Sequence, residues 1–142
     1  MIQAKFYPFF IALGLSALFF IIYIILGNKG IILSLEPNES IGDISRWCER
    51  VSGGIFREPS NALSNIGFMM LGLYMFWVLG KDIKSDTSNQ FTGLNSISIL
   101  YAGAAIFLGP GSLLMHGTHT EWGEWADNLS MIMYIIIPWL LN

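Results

Sequence analysis

A chain of 142 residues with a net charge of −3 has room for one domain and no basic surplus with which to hold nucleic acid. Hydrophobic residues make up 54% of it and charged ones only 12%, well under the roughly 25% of soluble domains, which excludes an ordinary water-soluble globule. The single cysteine, Cys48, excludes an internal disulfide.

The charges are confined to gaps. No Asp, Glu, Lys or Arg falls in 6–28, 59–80, 92–115 or 128–142. Apolar stretches of this kind predict membrane-crossing helices, which need ~20 residues each. The expected fold is therefore an all-α integral membrane protein with four transmembrane helices, crossing the bilayer several times. Three parts are expected: an N-terminal transmembrane helix over 1–28, a polar connector over 29–58, and a membrane domain over 59–142.

In chain order, Phe6–Asn28 predicts a retained first span. Its apolar part is too long for a cleaved signal peptide, and no small-x-small cleavage site follows it. Pro8 suits a first helical turn. Within Lys29–Glu58, Ile31–Leu35 is expected along the membrane interface and Pro37-Asn-Glu-Ser as a turn. Asp43–Arg50 is expected as a short amphipathic helix that Gly53-Gly54 ends. Pro59–Gly80 predicts the second span, and its first half carries Glu58, Asn61, Ser64 and Asn65 at intervals of three and four. Such a stripe should face other helices, because unpaired amides and carboxylates are costly toward lipid. Lys81–Gln90 is short and polar, so the spans it joins should form an antiparallel hairpin.

Thr92–Met115 predicts the third span. Gly103-Ala-Ala105 permits close helix approach, and Gly109-Pro-Gly111 is expected to kink or loosen the helix. Gly117–Trp125 is expected to turn the chain back, with His119 exposed in the turn and Trp122 and Trp125 at the interface. The last apolar run, Asn128–Asn142, has only fifteen residues.

Connectivity alone brings two distant clusters to one membrane face. If span one ends on a given side, the connector lies there, and so does the chain after span three. Trp47, Glu49, Glu58, Ser112, His116 and Asp127 therefore meet. Ser112 and His116 are four apart and share a helix face. Ionisable groups at a membrane edge are read by default as functional. His116 is the best metal-ligand candidate, and catalytic zinc, with three protein ligands, lowers the pKa of its water to about 7. His119 is a further candidate ligand. Asp127 could act as general base, and Ser112 could bond the water or a developing oxyanion. No G-x-S-x-G elbow supports a serine-hydrolase triad. The bland alternative is that these polar residues only pack helices.

Gly111-Ser-x-x-x-His116, followed by Asp127 and Met131-x-x-Tyr134, resembles the alkaline ceramidases, whose wider superfamily includes the adiponectin and progestin receptors. Trp47-Cys-Glu49 and then Glu58-x-x-Asn61-x-x-Ser64-Asn65 is similar to the N-terminal pattern of the ceramidases. Arg46 and Val51 depart from it, standing where an acid and an Asn are usual. The likeness covers about residues 46–137. It implies a seven-helix bundle around a zinc ion, of which this chain matches part. It further implies His116 as a zinc ligand, Ser112 and Asp127 as catalytic, and Trp47, Glu49 and Glu58 as calcium ligands. The implied reaction is hydrolysis of the amide bond of ceramide or a related membrane lipid. The late His-x-x-x-His that supplies the family's other zinc ligands does not occur in this chain. The sequence is thus expected to be the N-terminal part of a longer hydrolase, with little turnover alone. A receptor-like, non-catalytic member of the superfamily is the alternative reading.

Overall fold

The computed structural model describes residues 4–38, 49–82 and 91–141. Every regular element among them is helical. After a 3₁₀ turn at Ala4–Phe6 come α1 (Tyr7–Asn28), α2 (Pro59–Ser64), α3 (Ile66–Lys81), α4 (Ser96–Thr118) and α5 (Glu121–Leu141). Three stretches are long and apolar enough to cross a membrane: Ala4–Asn28, Pro59–Lys81 and Ser96–Thr118. The last helix is long too, but Glu121, Glu124 and Asp127 occupy its first two turns, so it falls outside that set.

The expected boundaries hold where apolar composition sets them and shift where a cap or a side chain intervenes. Proline stands in the first turn of α1, where its missing N–H costs nothing. The span expected from Pro59 is divided at Asn65. There the Asn65 side chain donates to the Asn61 carbonyl at 2.8 Å, competing with the backbone for the acceptor that a continuous helix would use. The third span starts at Ser96 rather than Thr92, because Asn95 caps it. Asn95 Oδ1 accepts the N–H groups of Ile97 and Ser98, both at 2.9 Å, and Ser98 Oγ accepts the Asn95 N–H at 3.0 Å. The helix then runs unbroken through Pro110 to Thr118. Of the connector helix expected over Asp43–Arg50, residues 43–48 lie outside the described residues, while Glu49 and Arg50 are not helical.

α4 is the central helix. On one side it packs antiparallel against α3, where α3 and α4 nearly touch. A Cβ on Gly72 would lie 2.9 Å from the Ala102 carbonyl oxygen, and one on Gly109 would lie 2.9 Å from that of Asn65. On another side it pairs with α5, the most extensive contact between two elements. α1 closes the bundle through two apolar clusters. Ala12, Phe76, Leu79 and Ala102 form one, and Tyr23, Ile32, Ala62 and Leu113 the other. The outward face of α1, including Ile11, Leu15, Ile21 and Ile25, is exposed apolar surface, as a helix in lipid should present. The polar stripe of Pro59–Gly80 faces inward only in part: Glu58 and Asn65 are buried, whereas Ser64 is exposed.

Candidate functional site

The turn after α4 creates the site. Only His119 and Thr120 separate α4 from α5, a much tighter reversal than one running from Gly117 to Trp125. His119 makes it possible by adopting the left-handed conformation (φ 54°) and giving its N–H to the Met115 carbonyl at 2.8 Å. Thr120 then starts α5, its hydroxyl accepting the Gly123 N–H at 3.2 Å. In that tight corner His119 is 2% exposed, so the expectation that it lies open to solvent is overturned.

Helix ends leave carbonyls without partners, and here the connector supplies them. The N–H groups of Arg57 and Glu58 donate to the carbonyls of Gly117 and His116 at 3.1 and 3.0 Å, and that of Asn38 to the His119 carbonyl at 2.7 Å. This pairing brings the Glu58 side chain against the end of α4. Glu58 Oε2 lies 2.6 Å from His116 Nδ1, and Oε1 lies 3.2 Å from His119 Nε2. Asn61 Nδ2 donates to Glu58 Oε2 at 3.1 Å. The second His contact is off line for a hydrogen bond, leaving His119 Nε2 a buried atom without one among the described residues. Burial lowers the pKa of His119 below the ordinary imidazole value; Glu58 opposes this and Arg57 adds to it. Two stretches that are far apart in sequence thus meet, as connectivity anticipated.

Glu49 joins the same corner differently. Its two carboxylate oxygens accept the N–H groups of Ser60 and Asn61, both at 2.7 Å, so it caps α2 from outside the helix. Loss of water around the carboxyl raises its pKa, but the Ser60 and Asn61 donors outweigh this and hold it below the ordinary value. Trp47 lies outside the described residues.

Ser112 and Asp127 are brought to one level by the α4–α5 pairing. A Cβ on Gly111 would lie 2.7 Å from the Ala126 carbonyl oxygen, so the residues that follow each of these positions sit where the two helices approach most closely. Both are buried, at 9% and 7% exposure. None of the hydrogen bonds among the described residues joins Ser112, His116 and Asp127 to one another. Asp127 Oδ1 is buried without a hydrogen-bond partner among the described residues, an expensive condition for a carboxylate. One α-helical face of α4 carries Tyr101, Ser112 and His116, and Tyr101 stacks at 5.5 Å on Tyr134, two turns along α5 from Asp127.

The donors fit two candidate metals unequally. A metal-binding histidine gives its second ring nitrogen to a carboxylate or carbonyl, and His116 does so to Glu58. With Nδ1 so engaged, Nε2 is the nitrogen a zinc ion would take. The residues around calcium's expected place fit it poorly, because the oxygens of Glu49 and Glu58 are turned to nitrogen atoms, where calcium would need six to eight oxygens turned to itself. Among the described residues, no three His, Cys, Asp or Glu side chains are arranged to enclose a metal ion.

Arg57 and Tyr23 were not singled out in the sequence. Arg57 Nη2 donates to the Leu35 carbonyl at 2.6 Å, and the Tyr23 hydroxyl to that of Ile55 at 3.0 Å. The first bond joins the two ends of the connector, and the second ties it to α1. Tyr23 alone carried a signal, as a phenol inside an uncharged span, where its hydroxyl needs a partner. Comparison with known proteins finds no matching family model, no similar curated protein and no similar solved structure.

Proposed function

We propose that this protein is a multi-pass membrane hydrolase of the ceramidase kind, which cleaves the amide bond of a ceramide or related lipid at a zinc site. The observation that carries the reading is the buried Glu58 carboxylate 2.6 Å from His116 Nδ1. Such a bond fixes the tautomer and the ring orientation of an imidazole meant to bind a metal through its other nitrogen. The resemblance of Ser112, His116 and Asp127 to the ceramidase motif supplies the substrate class.

A bound zinc ion would supply a Lewis acid and a water acidic enough to ionise near neutral pH. His116 would hold it, and Glu58 would hold His116. Asp127, with one oxygen buried and without a hydrogen-bond partner among the described residues, would take a proton from an attacking water. Ser112, one helical turn before His116, would donate to the developing oxyanion. The apolar surroundings of α3, α4 and α5 would admit the lipid from the side of the bundle.

The test is hydrolysis of a long-chain ceramide by the purified full-length protein. Wild type should release a fatty acid, and Asp127→Asn should lower turnover by at least about a hundredfold, within the range of a lost general base. Undiminished turnover by Asp127→Asn would remove Asp127 from the chemistry. A second reading is favoured by the bonds of Glu58 to both histidines, since they also serve as a clamp between α2 and α4. On that reading the chain is a non-catalytic, receptor-like membrane protein, and ceramide would bind without being cleaved.

A further inference from the structure

A cavity of about 290 Å³ lies between α3, the start of α4 and the segment leading into it, lined by residues that include Leu71, Tyr74, Asp82, Phe91, Ser98 and Tyr101. Ser98 stands in the first turn of α4 and His116 in its last, so the cavity is separate from the site above. Asp82 follows directly on the membrane-crossing stretch Pro59–Lys81, and Ser98 is in the first turn of the stretch Ser96–Thr118. This end of the cavity is therefore at the membrane boundary, the level of lipid headgroups. From Asp82 back to Leu71 the cavity follows α3 for roughly 16 Å toward the hydrocarbon.

Charge and aromatic surface meet at the boundary end. Asp82 is half-buried, and its Oδ2 accepts the Gly93 N–H at 3.3 Å. The Gly93 carbonyl in turn accepts the Ser98 hydroxyl, which sets the carboxylate among the residues that line the cavity. The ion pairs among the described residues are made by Glu58, so Asp82 has no cationic partner there. Lys81, its neighbour in sequence, holds its ammonium over the Trp77 ring, 4.8 Å from the centroid. Phe91 meets Tyr101 edge-on with centroids 5.4 Å apart. Tyr74 is 65% exposed, with no other ring against it among the described residues.

A carboxylate beside aromatic rings attracts an organic cation, and the hydrogen-bonding groups decide which kind. A primary ammonium brings three N–H donors that need acceptors. Here Asp82 Oδ2 is engaged by Gly93, and Ser98 Oγ by the Gly93 carbonyl and the Asn95 N–H. A quaternary ammonium has no N–H to satisfy and lays its methyl groups on ring faces. We propose that this cavity binds the quaternary ammonium headgroup of a choline-type membrane lipid. The cation sits between Asp82 and the rings of Tyr74, Phe91 and Tyr101, and an acyl chain runs along Leu71 and Met75. A free choline ion would leave that apolar length unfilled. The proposal is independent of the zinc reading, because it involves neither His116 nor Asp127.

The experiment is native mass spectrometry of the delipidated full-length protein in a maltoside detergent. Lysophosphatidylcholine and lysophosphatidylethanolamine with the same acyl chain are offered separately and in competition. Wild type should take up one molecule and prefer the choline lipid about fivefold, the worth of one partly desolvated cation–π contact. Asp82→Asn, which can still accept the Gly93 N–H, should bind the choline lipid about fivefold more weakly, as loss of a partly exposed charge pair does. Tyr74→Leu, at an exposed position, should keep wild-type helix content and lose most of the preference. Equal binding of the two lipids by wild type, or uptake of neither, would overturn the proposal. So would wild-type affinity in Asp82→Asn or an undiminished preference in Tyr74→Leu.

Discussion

Glu58 has the most consequential side chain in the described structure, and its role could not be read from its neighbours in sequence. The ceramidase resemblance pairs it with Glu49 as oxygen donors around one cation. The fold separates them in function, because the backbone at Arg57 and Glu58 pairs with the carbonyls of Gly117 and His116 and turns Glu58 toward the histidines. That contact spans fifty-eight residues, and no local pattern encodes it. Glu58→Gln removes the charge while keeping the shape; it should lower zinc affinity about 10- to 100-fold, as loss of a ligand's orienting partner does, read by metal titration. Glu49 should behave as a cap. Glu49→Gln should speed hydrogen exchange at the Ser60 and Asn61 amides. Because the carboxyl's pKa is lowered in the fold, its stabilisation is present above the ordinary value of 4.5 and is lost as pH falls through the lower folded value. The difference between wild type and Glu49→Gln should therefore close in acid. His119 shows the limit of spacing arguments. Its position three after His116 was plain, but its burial follows from a left-handed turn that only the tight α4–α5 reversal requires.

At the scale of the helices, composition located the apolar stretches and the end signals refined them. Asn95 stands inside an uncharged run, so charge patterning placed the start of the third span too early; the reciprocal bonds between Asn95 and Ser98 place it at Ser96. Asn95→Ala should cost about 1 kcal/mol in thermal unfolding, as a lost cap does, and leave any hydrolysis unchanged. Gly111 is the opposite case, where a small residue in a Gly-Pro-Gly run suggests a flexible point but serves contact. A Cβ there would lie 2.5 Å from Ser130 Oγ as well as close to the Ala126 carbonyl. Gly111→Val should force α4 and α5 apart at about 1–3 kcal/mol. It should also lower hydrolysis by spreading the level shared by Ser112 and Asp127. A fall in stability with full activity would show that this level has no part in the chemistry.

For the molecule as a whole, the pattern of uncharged stretches anticipated an all-helical chain whose connector and α4–α5 turn meet at one end. The meeting is real: Asn38, Arg57 and Glu58 all bond to the end of α4. What the pattern could not provide was the arrangement inside that end, since side-chain direction depends on which helices touch. The outward face of α5, with Trp125, Ile135 and Trp139 exposed, continues the apolar surface around the bundle. The most direct measurement is the zinc content of the purified full-length protein beside its His116→Ala variant. About one zinc per chain in wild type, lost in His116→Ala at an unchanged helix content, is the predicted result. Wild-type zinc retained by His116→Ala, or none bound by wild type after metal is supplied, would contradict a metal centre built on His116.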